Sequence, residues 1–255
     1  MSWSWEVFCK STLDENFSPV CFGTGGETTY LDWIMSAWGW TLSVSALGLL
    51  IAMVLGILMG ALRTLPPDNL VTRLLATIGN VWVELFRNIP VLVQVFLWYH
   101  VVPALIPVLK GLPSFILVSL ALGFFTSSRI AEQVRAGIGA LPRGQRFAAM
   151  AMGLTTFQSY RYVILPMALR IVIPPLTSES MNIIKNSSVA FAVSVAELTL
   201  FAMQAQEETS RGIEIYLGVT ALYVISALTV NRIMALIETR TRVPGFIVSA
   251  SSGGH

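Results

Sequence analysis

The chain has 255 residues, 55% of them hydrophobic and only 12% charged, with a formal net charge of +2. A soluble globular domain carries roughly 25% charged residues, so an ordinary water-soluble enzyme is excluded, whereas lipid-facing helices can stay apolar all round. Each bilayer crossing uses about 20 mostly apolar residues, which allows one membrane domain and little else.

Residues 1–36 hold Glu6, Asp14, Glu15, Glu27 and Asp32 against Lys10 alone. They lack the basic start and continuous apolar core of a secretory signal. Cys9 and Cys21 both fall in this segment, where a disulfide in an oxidising compartment and two separate thiols both stay open. The first span runs from Trp38 to Leu62, uncharged throughout, and closes at Arg63 before the breaker Pro66-Pro67. The stretch 63–88 is polar by comparison. A second span is expected at 89–109, and a third at 113–128 continuing as helix to Arg135. Residues 136–165 are too polar to cross a bilayer. A fourth span, 167–184, is interrupted by Pro174-Pro175 and carries Glu179 and Asn182, with Lys185 at its end. The segment 186–211 alternates apolar and polar stretches, as expected of one that dips into the membrane without crossing. A fifth span, 212–237, precedes Arg240, Arg242 and a Ser/Gly-rich tail, 243–255, of disordered composition.

Five crossings place the termini on opposite sides, and basic residues favour the cytoplasmic side. With the N-terminus outside, the inner segments hold Arg63, Arg73, Arg87, Arg129, Arg135, Arg143, Arg146, Arg161, Arg240 and Arg242, and the outer ones only Lys10, Lys110 and Arg211. This bias predicts a periplasmic N-terminus and a cytoplasmic C-terminus.

The stretch 141–166 reads as two short helices joined by a tight turn. Pro142 suits a helix start, Gly153 the left-handed residue after a helix end, and Thr155 with Gln158 a capping box. Pro166 is expected to stop the second helix. Phe147, Met150 and Ala151 share one face, while Ala148, Ala149 and Gly153 offer a smooth surface. A small apolar knob on the arginine-rich side suggests docking of another protein; a hairpin packed on its own bundle is the alternative.

Gly144-Gln145, Ala148-Ala149, Gly153 and Leu165-Pro166 together resemble the EAA loop of inner-membrane permease subunits of bacterial ABC importers. The flanking sequences Glu84 to Gln94, Ala131 to Arg135, Ile173 to Leu176 and Lys185 to Ser188 are similar to the polar amino-acid permeases, above all those for glutamate and aspartate. The likeness covers about residues 41–242, with Phe147 standing where the motif has its first acidic residue. It implies an all-α membrane domain of about five transmembrane helices over 37–242, with a cytoplasmic coupling helix in the loop 136–165. It further implies a cytoplasmic ATPase, a second permease chain that is a copy or a paralogue, a periplasmic amino-acid-binding protein, surrounding lipid and no nucleic acid. ATP and magnesium belong to the ATPase, because this chain lacks a Gly-rich phosphate loop followed by Lys-Ser/Thr. No cofactor or metal is expected on the chain itself, whose only histidines are His100 and His255. Coupling to the ATPase falls to Gly144, Gln145, Ala148, Ala149 and Gly153.

Ionisable groups inside membrane spans are costly and usually face a cavity or a partner. Ser178, Asn182 and Lys185 share one helix face with Glu179 beside them, which makes a candidate substrate path; polar side chains that hold helices together are the alternative. Lys185, Arg129 or Arg170 can supply a cation for an anionic substrate. Glu84 and Arg87, spaced i, i+3, are expected to pair in a structural or gating role. Glutamine, histidine or arginine carriers share this scaffold. An ATP-independent secondary carrier would show repeats or broken helices, and an intramembrane enzyme would need histidines or acidic clusters that are absent.

Overall fold

The computed structural model describes residues 4–12, 21–23 and 28–241. The tail 243–255, Arg242, residues 13–20 and 24–27 and the side chain of Arg143 lie outside that description. The described residues are helical apart from short connections and one antiparallel bridge, Ser11 to Thr29. Eight helices follow a short turn of 3₁₀ helix at Trp5–Cys9. They are α1 (Tyr30–Leu62), α2 (Leu70–Asn88), α3 (Val91–Leu105), α4 (Ser114–Gly139), α5 (Arg143–Ala151), α6 (Thr156–Val193), α7 (Leu198–Thr209) and α8 (Gly212–Thr241). Four of these, α1, α4, α6 and α8, are long and apolar enough to cross a membrane, and the bent pair α2 and α3 makes a fifth if it is counted as one broken span.

Helix α1 starts earlier than its apolar run. Thr29 and Asp32 form a reciprocal capping box that satisfies the first free amides, so the helix begins before the uncharged stretch enters lipid. Along α1, Gly48, Ala52, Gly56 and Gly60 form a smooth buried ridge. A Cβ at Gly56 would lie 2.6 Å from Ile130 and one at Gly60 2.6 Å from Val134. Small residues let membrane helices approach until their backbones touch, and α1 and α4 are therefore packed as one body.

The stretch 63–88 is not a polar connection. Its second part is α2, amphipathic and capped by Asn69 with Thr72, and the chain then turns by 106° into α3. The break sits at Ile89-Pro90, where an extended residue precedes an imino acid that donates no hydrogen bond. The Gln94 side chain repairs it by donating to the carbonyls of Phe86 (2.7 Å) and Ile89 (3.0 Å).

Pro166 does not stop a helix either. A π turn at Tyr160–Ile164 precedes it, with the Leu165 N–H reaching the Tyr160 carbonyl. The arrangement recurs at Leu97–Val101 ahead of Pro103. The wider turn shifts the register in which the proline ring would otherwise meet a carbonyl one turn back, and α6 runs on. It also runs through Pro174-Pro175 without interruption. Helix α7, with 12 residues, is too short to cross a bilayer and packs Leu198, Phe201, Ala202 and Ala205 against α1 and α8.

The disulfide Cys9–Cys21 closes a cap over one end of the bundle. The opposite end carries α5 and most of the arginines. A central apolar cluster around Val44, Val118, Leu122 and Ile183 lies between them.

Candidate functional site

Two features stand out at the arginine-rich end. The first is the hairpin that begins with α5. Pro142 occupies its N-cap. Its C-terminus closes in a Schellman arrangement: Gly153 has φ +78° and its N–H reaches the Met150 carbonyl (2.9 Å), while the Leu154 N–H reaches the Ala149 carbonyl (3.2 Å). Thr155 and Gln158 then make the capping box that starts α6.

Of the residues expected on its outer surface, Gly144, Ala148 and Gly153 are exposed, and Phe147, Met150 and Met152 stand out, 66%, 52% and 73% exposed. A Cβ at Gly144 or Gly153 would meet nothing in this chain. Ala149 departs from the expectation: it is fully buried and backs the hairpin against its own bundle, with Gln145 partly buried beside it. The helical period accounts for this, since Gln145 and Ala149 lie one turn apart and face the opposite way from Phe147 and Met150. Behind the hairpin lies a cavity of about 240 Å³, lined by residues including Thr64, Gln145, Arg146 and Tyr160.

The second feature is a charged centre between α2, α4 and α6. Arg129 on α4 makes a two-pronged pair with Glu179 on α6, its Nε at 2.8 Å from Oε2 and its Nη2 at 3.0 Å from Oε1. The Gln133 amide donates to the same carboxylate (3.0 Å). One helical turn nearer the hairpin, Glu132 collects Arg63 of α1's end (2.9 Å), Arg135 (3.1 Å) and Arg87 of α2 (3.5 Å). Arg87 therefore does not pair with Glu84, which is exposed. The end of α2 turns Arg87 towards α4 and leaves Glu84 outside.

A cavity of about 310 Å³ opens onto this centre, lined by Arg87, Phe125, Arg129, Glu132, Gln133 and Glu179. Its wall holds two arginines and two carboxylates, and Arg63 and Arg135 join Glu132 from outside that lining. The Gln133 Oε1 is buried without a hydrogen-bond partner.

The expected stripe divides. Ser178 and Lys185 are exposed and Asn182 is half-buried, on a face open in the single chain. Glu179 lies instead in the ion pair. Lys185 makes no ion pair among the described residues. The hub Glu132, with Arg63 and Gln133, was missed as a site. Its local signal is the run from Arg129 to Arg135, which sets Arg129 with Gln133 and Glu132 with Arg135 one turn apart; the partners on α1, α2 and α6 leave no mark in sequence spacing. No cluster of metal-ligating side chains occurs among the described residues.

Residues 52–243 match the family described as binding-protein-dependent transport system inner membrane component. The chain is 39% identical to the glutamate/aspartate import permease protein GltJ of Escherichia coli (strain K12), over 96% of this chain and 97% of that protein. It is 32% identical to the glutamine transport system permease protein GlnP of the same strain, over 80% and 90%. Among solved structures, an amino acid ABC transporter crystallised with histidines superposes with a TM-score of 0.69 at 29% identity, over 83% of this chain and 95% of that one. An inward-facing MetNI methionine ABC transporter superposes with a TM-score of 0.71 at 20% identity, over 83% and 97%, and supports the fold alone.

Proposed function

The chain belongs to the family of binding-protein-dependent transport system inner membrane components, and from that premise we propose that it carries glutamate or aspartate inward across the membrane. The class follows from membership: it is the permease subunit of an ATP-driven amino-acid importer, a transport component and not an enzyme. That class requires an ATPase and a substrate-binding protein.

The observation that carries the substrate assignment is the 39% identity to GltJ over nearly the full length of both chains. Arg87 and Arg129 on the wall of the cavity beside the charged centre are cations that an acidic side chain could meet. The name borne by GltJ supports the same reading. The open face of Ser178, Asn182 and Lys185 lines the path, and covering it calls for a second permease chain, a copy or a paralogue.

The hairpin supplies the docking surface for the ATPase. Phe147, Met150 and Met152 fit an apolar groove, and Gly144, Ala148 and Gly153 allow close approach. Closure of the ATPases on ATP would then shift a two-state bundle outward-open, and hydrolysis would return it. We place the hairpin and the C-terminus in the cytoplasm and the disulfide-closed cap on the periplasmic side. The arginine bias and the redox requirement of a lasting disulfide both support that orientation.

The test is uptake by the complete transporter in proteoliposomes, with ATP inside and the binding protein outside. Labelled glutamate and aspartate should accumulate in an ATP-dependent way. Accumulation of glutamine in preference to both would overturn the acidic substrate and leave the importer class standing.

A further inference from the structure

The hairpin is seated on the bundle through Ala149, but not along its whole length. The cavity of about 240 Å³ lies behind it, and the π turn at Tyr160–Ile164 follows directly in the chain. A π turn is rare in a helix and frequently lies at a functional site. The cavity lies on one side of the hairpin and the π turn on the other, so its connection to the end of α1 depends on the contacts that bridge them. Two polar links make that connection. The Tyr160 hydroxyl donates to the backbone carbonyl of Thr64, just past the end of α1, and lies 3.3 Å from the Thr64 hydroxyl. Arg146 reaches Asp68 in the α1–α2 connection at 3.9 Å.

These links differ in strength. Arg146 and Asp68 are exposed, and exposed ion pairs at such distances contribute little. Tyr160 is buried, and its acceptor is a carbonyl left without a helical partner at a C-terminus.

What Thr64 adjoins gives the link its meaning. Arg63 donates to Asn80 of α2 (2.8 Å) and pairs with Glu132 of the charged centre (2.9 Å). Gly79 of α2 lies so close that a Cβ there would be 2.7 Å from the Arg63 side chain. The residue held by Tyr160 is thus the neighbour of the one that joins α1, α2 and α4.

We propose that Tyr160 is a positioning residue for coupled transport: its hydroxyl pins the hairpin to the end of α1, so that movement imposed on the hairpin reaches Arg63 and the charged centre instead of being lost in the cavity and the π turn. The proposal rests on the importer reading above.

The experiment uses the complete transporter with Tyr160→Phe, which removes one oxygen and keeps the ring. Uptake per ATP hydrolysed should fall about fivefold, the size of one lost hydrogen bond, with the amount of assembled complex and the ATPase rate unchanged. Spin labels on cysteines placed at the exposed Pro67 and Phe157 should give a narrow distance distribution in the parent chain and a broad one in Tyr160→Phe. The two native cysteines are joined to each other and do not compete for label. Unchanged uptake per ATP would overturn the proposal. A parallel loss of assembly, ATPase rate and uptake would also overturn it, by reducing Tyr160 to a fold residue. ATP-independent uptake by the parent transporter would instead overturn the importer reading on which the proposal stands.

Discussion

The two ends of the bundle are held together by opposite means. At the capped end the links are covalent, aromatic and many. The disulfide Cys9–Cys21 closes the cap, Thr29 donates to the Cys21 carbonyl (2.7 Å), and Asp32 accepts from the Gly23 amide (2.8 Å). The Ser4 amide donates to Glu214 of α8 (3.3 Å), Phe8 lies against Gly218, and Trp33 meets Phe201 edge-on at 5.1 Å. At the arginine-rich end the hairpin rests on a cavity, and the helices are joined by ion pairs around Glu132. Elements that move in a switching cycle come from the less stable parts of a structure. The difference teaches that the bundle is fixed at one end and adjustable at the other, where the ATPase would act.

The largest expected effect breaks the adjustable end. Glu132→Ala leaves Arg63, whose side chain is only 10% exposed, without its carboxylate, along with Arg87 and Arg135. Removing one partner of a buried pair costs about 3–5 kcal/mol, and the low end applies here because Arg87 and Arg135 reach solvent. The check is the melting temperature of the purified transporter, with a marked drop expected. Glu132→Gln should recover only part of it, since the amide keeps an acceptor and loses the charge.

Next comes the fixed end. Replacing Cys9 and Cys21 by Ser opens a loop of sequence separation 12, whose closure is worth about 3 kcal/mol in the chain-entropy model. That loss stays within the cap. Hydrogen exchange should rise at residues 4–12 while the amides of α1 keep their protection. Uptake should persist, and its loss would show that the cap takes part in the cycle and is not merely a fixed point.

A smaller effect is expected at Gly153. With φ at +78°, Gly153→Ala strains the backbone by about 1–2 kcal/mol, although the added Cβ meets nothing. Its effect should therefore appear as a reshaped hairpin, with weaker retention of the ATPase on purification and a modest fall in melting temperature, about 2–4 °C per kcal/mol.

How much of this was readable follows from how local each signal is. The long helices α1, α4 and α8 are legible because an uncharged or nearly uncharged run of that length has few other solutions. The α5 hairpin is legible too, since Pro142, Gly153 and the Thr155–Gln158 pair are local devices that act within a turn of themselves. Helix α2 was missed because Arg73, Glu84 and Arg87 break its hydrophobic run, and its inner side is satisfied by distant elements, α1 at Gly79 and Asn80 and α4 at Trp82 and Phe86. Pro166 misled because a single π turn upstream cancels its effect. The charged centre was the hardest. Glu84 and Arg87 are neighbours on one helix, yet Arg87 takes Glu132 from another, and Arg129 finds Glu179 across 50 positions of sequence. Pairing between distant elements depends on packing, which residue spacing does not encode.

The smallest expected change in stability gives the sharpest contrast. Phe147 is exposed in this chain, so Phe147→Ala should alter the melting temperature of the isolated permease little, within about 0.5 kcal/mol. In a docked complex the same ring would be an aromatic anchor, and truncating such anchors costs about 2 kcal/mol or more of binding. Ala149, two residues along and fully buried, should reverse the pattern. Ala149→Leu crowds the hairpin against its own bundle at about 1–3 kcal/mol without altering the outer surface. Melting of the permease alone and retention of the ATPase, measured on both variants, separate the two faces of one short helix. Phe147→Ala should release the ATPase from a stable permease, and Ala149→Leu should lower permease stability first. If both variants changed the same property, the hairpin would be one packed unit and its outer face would lose its assignment as the docking surface.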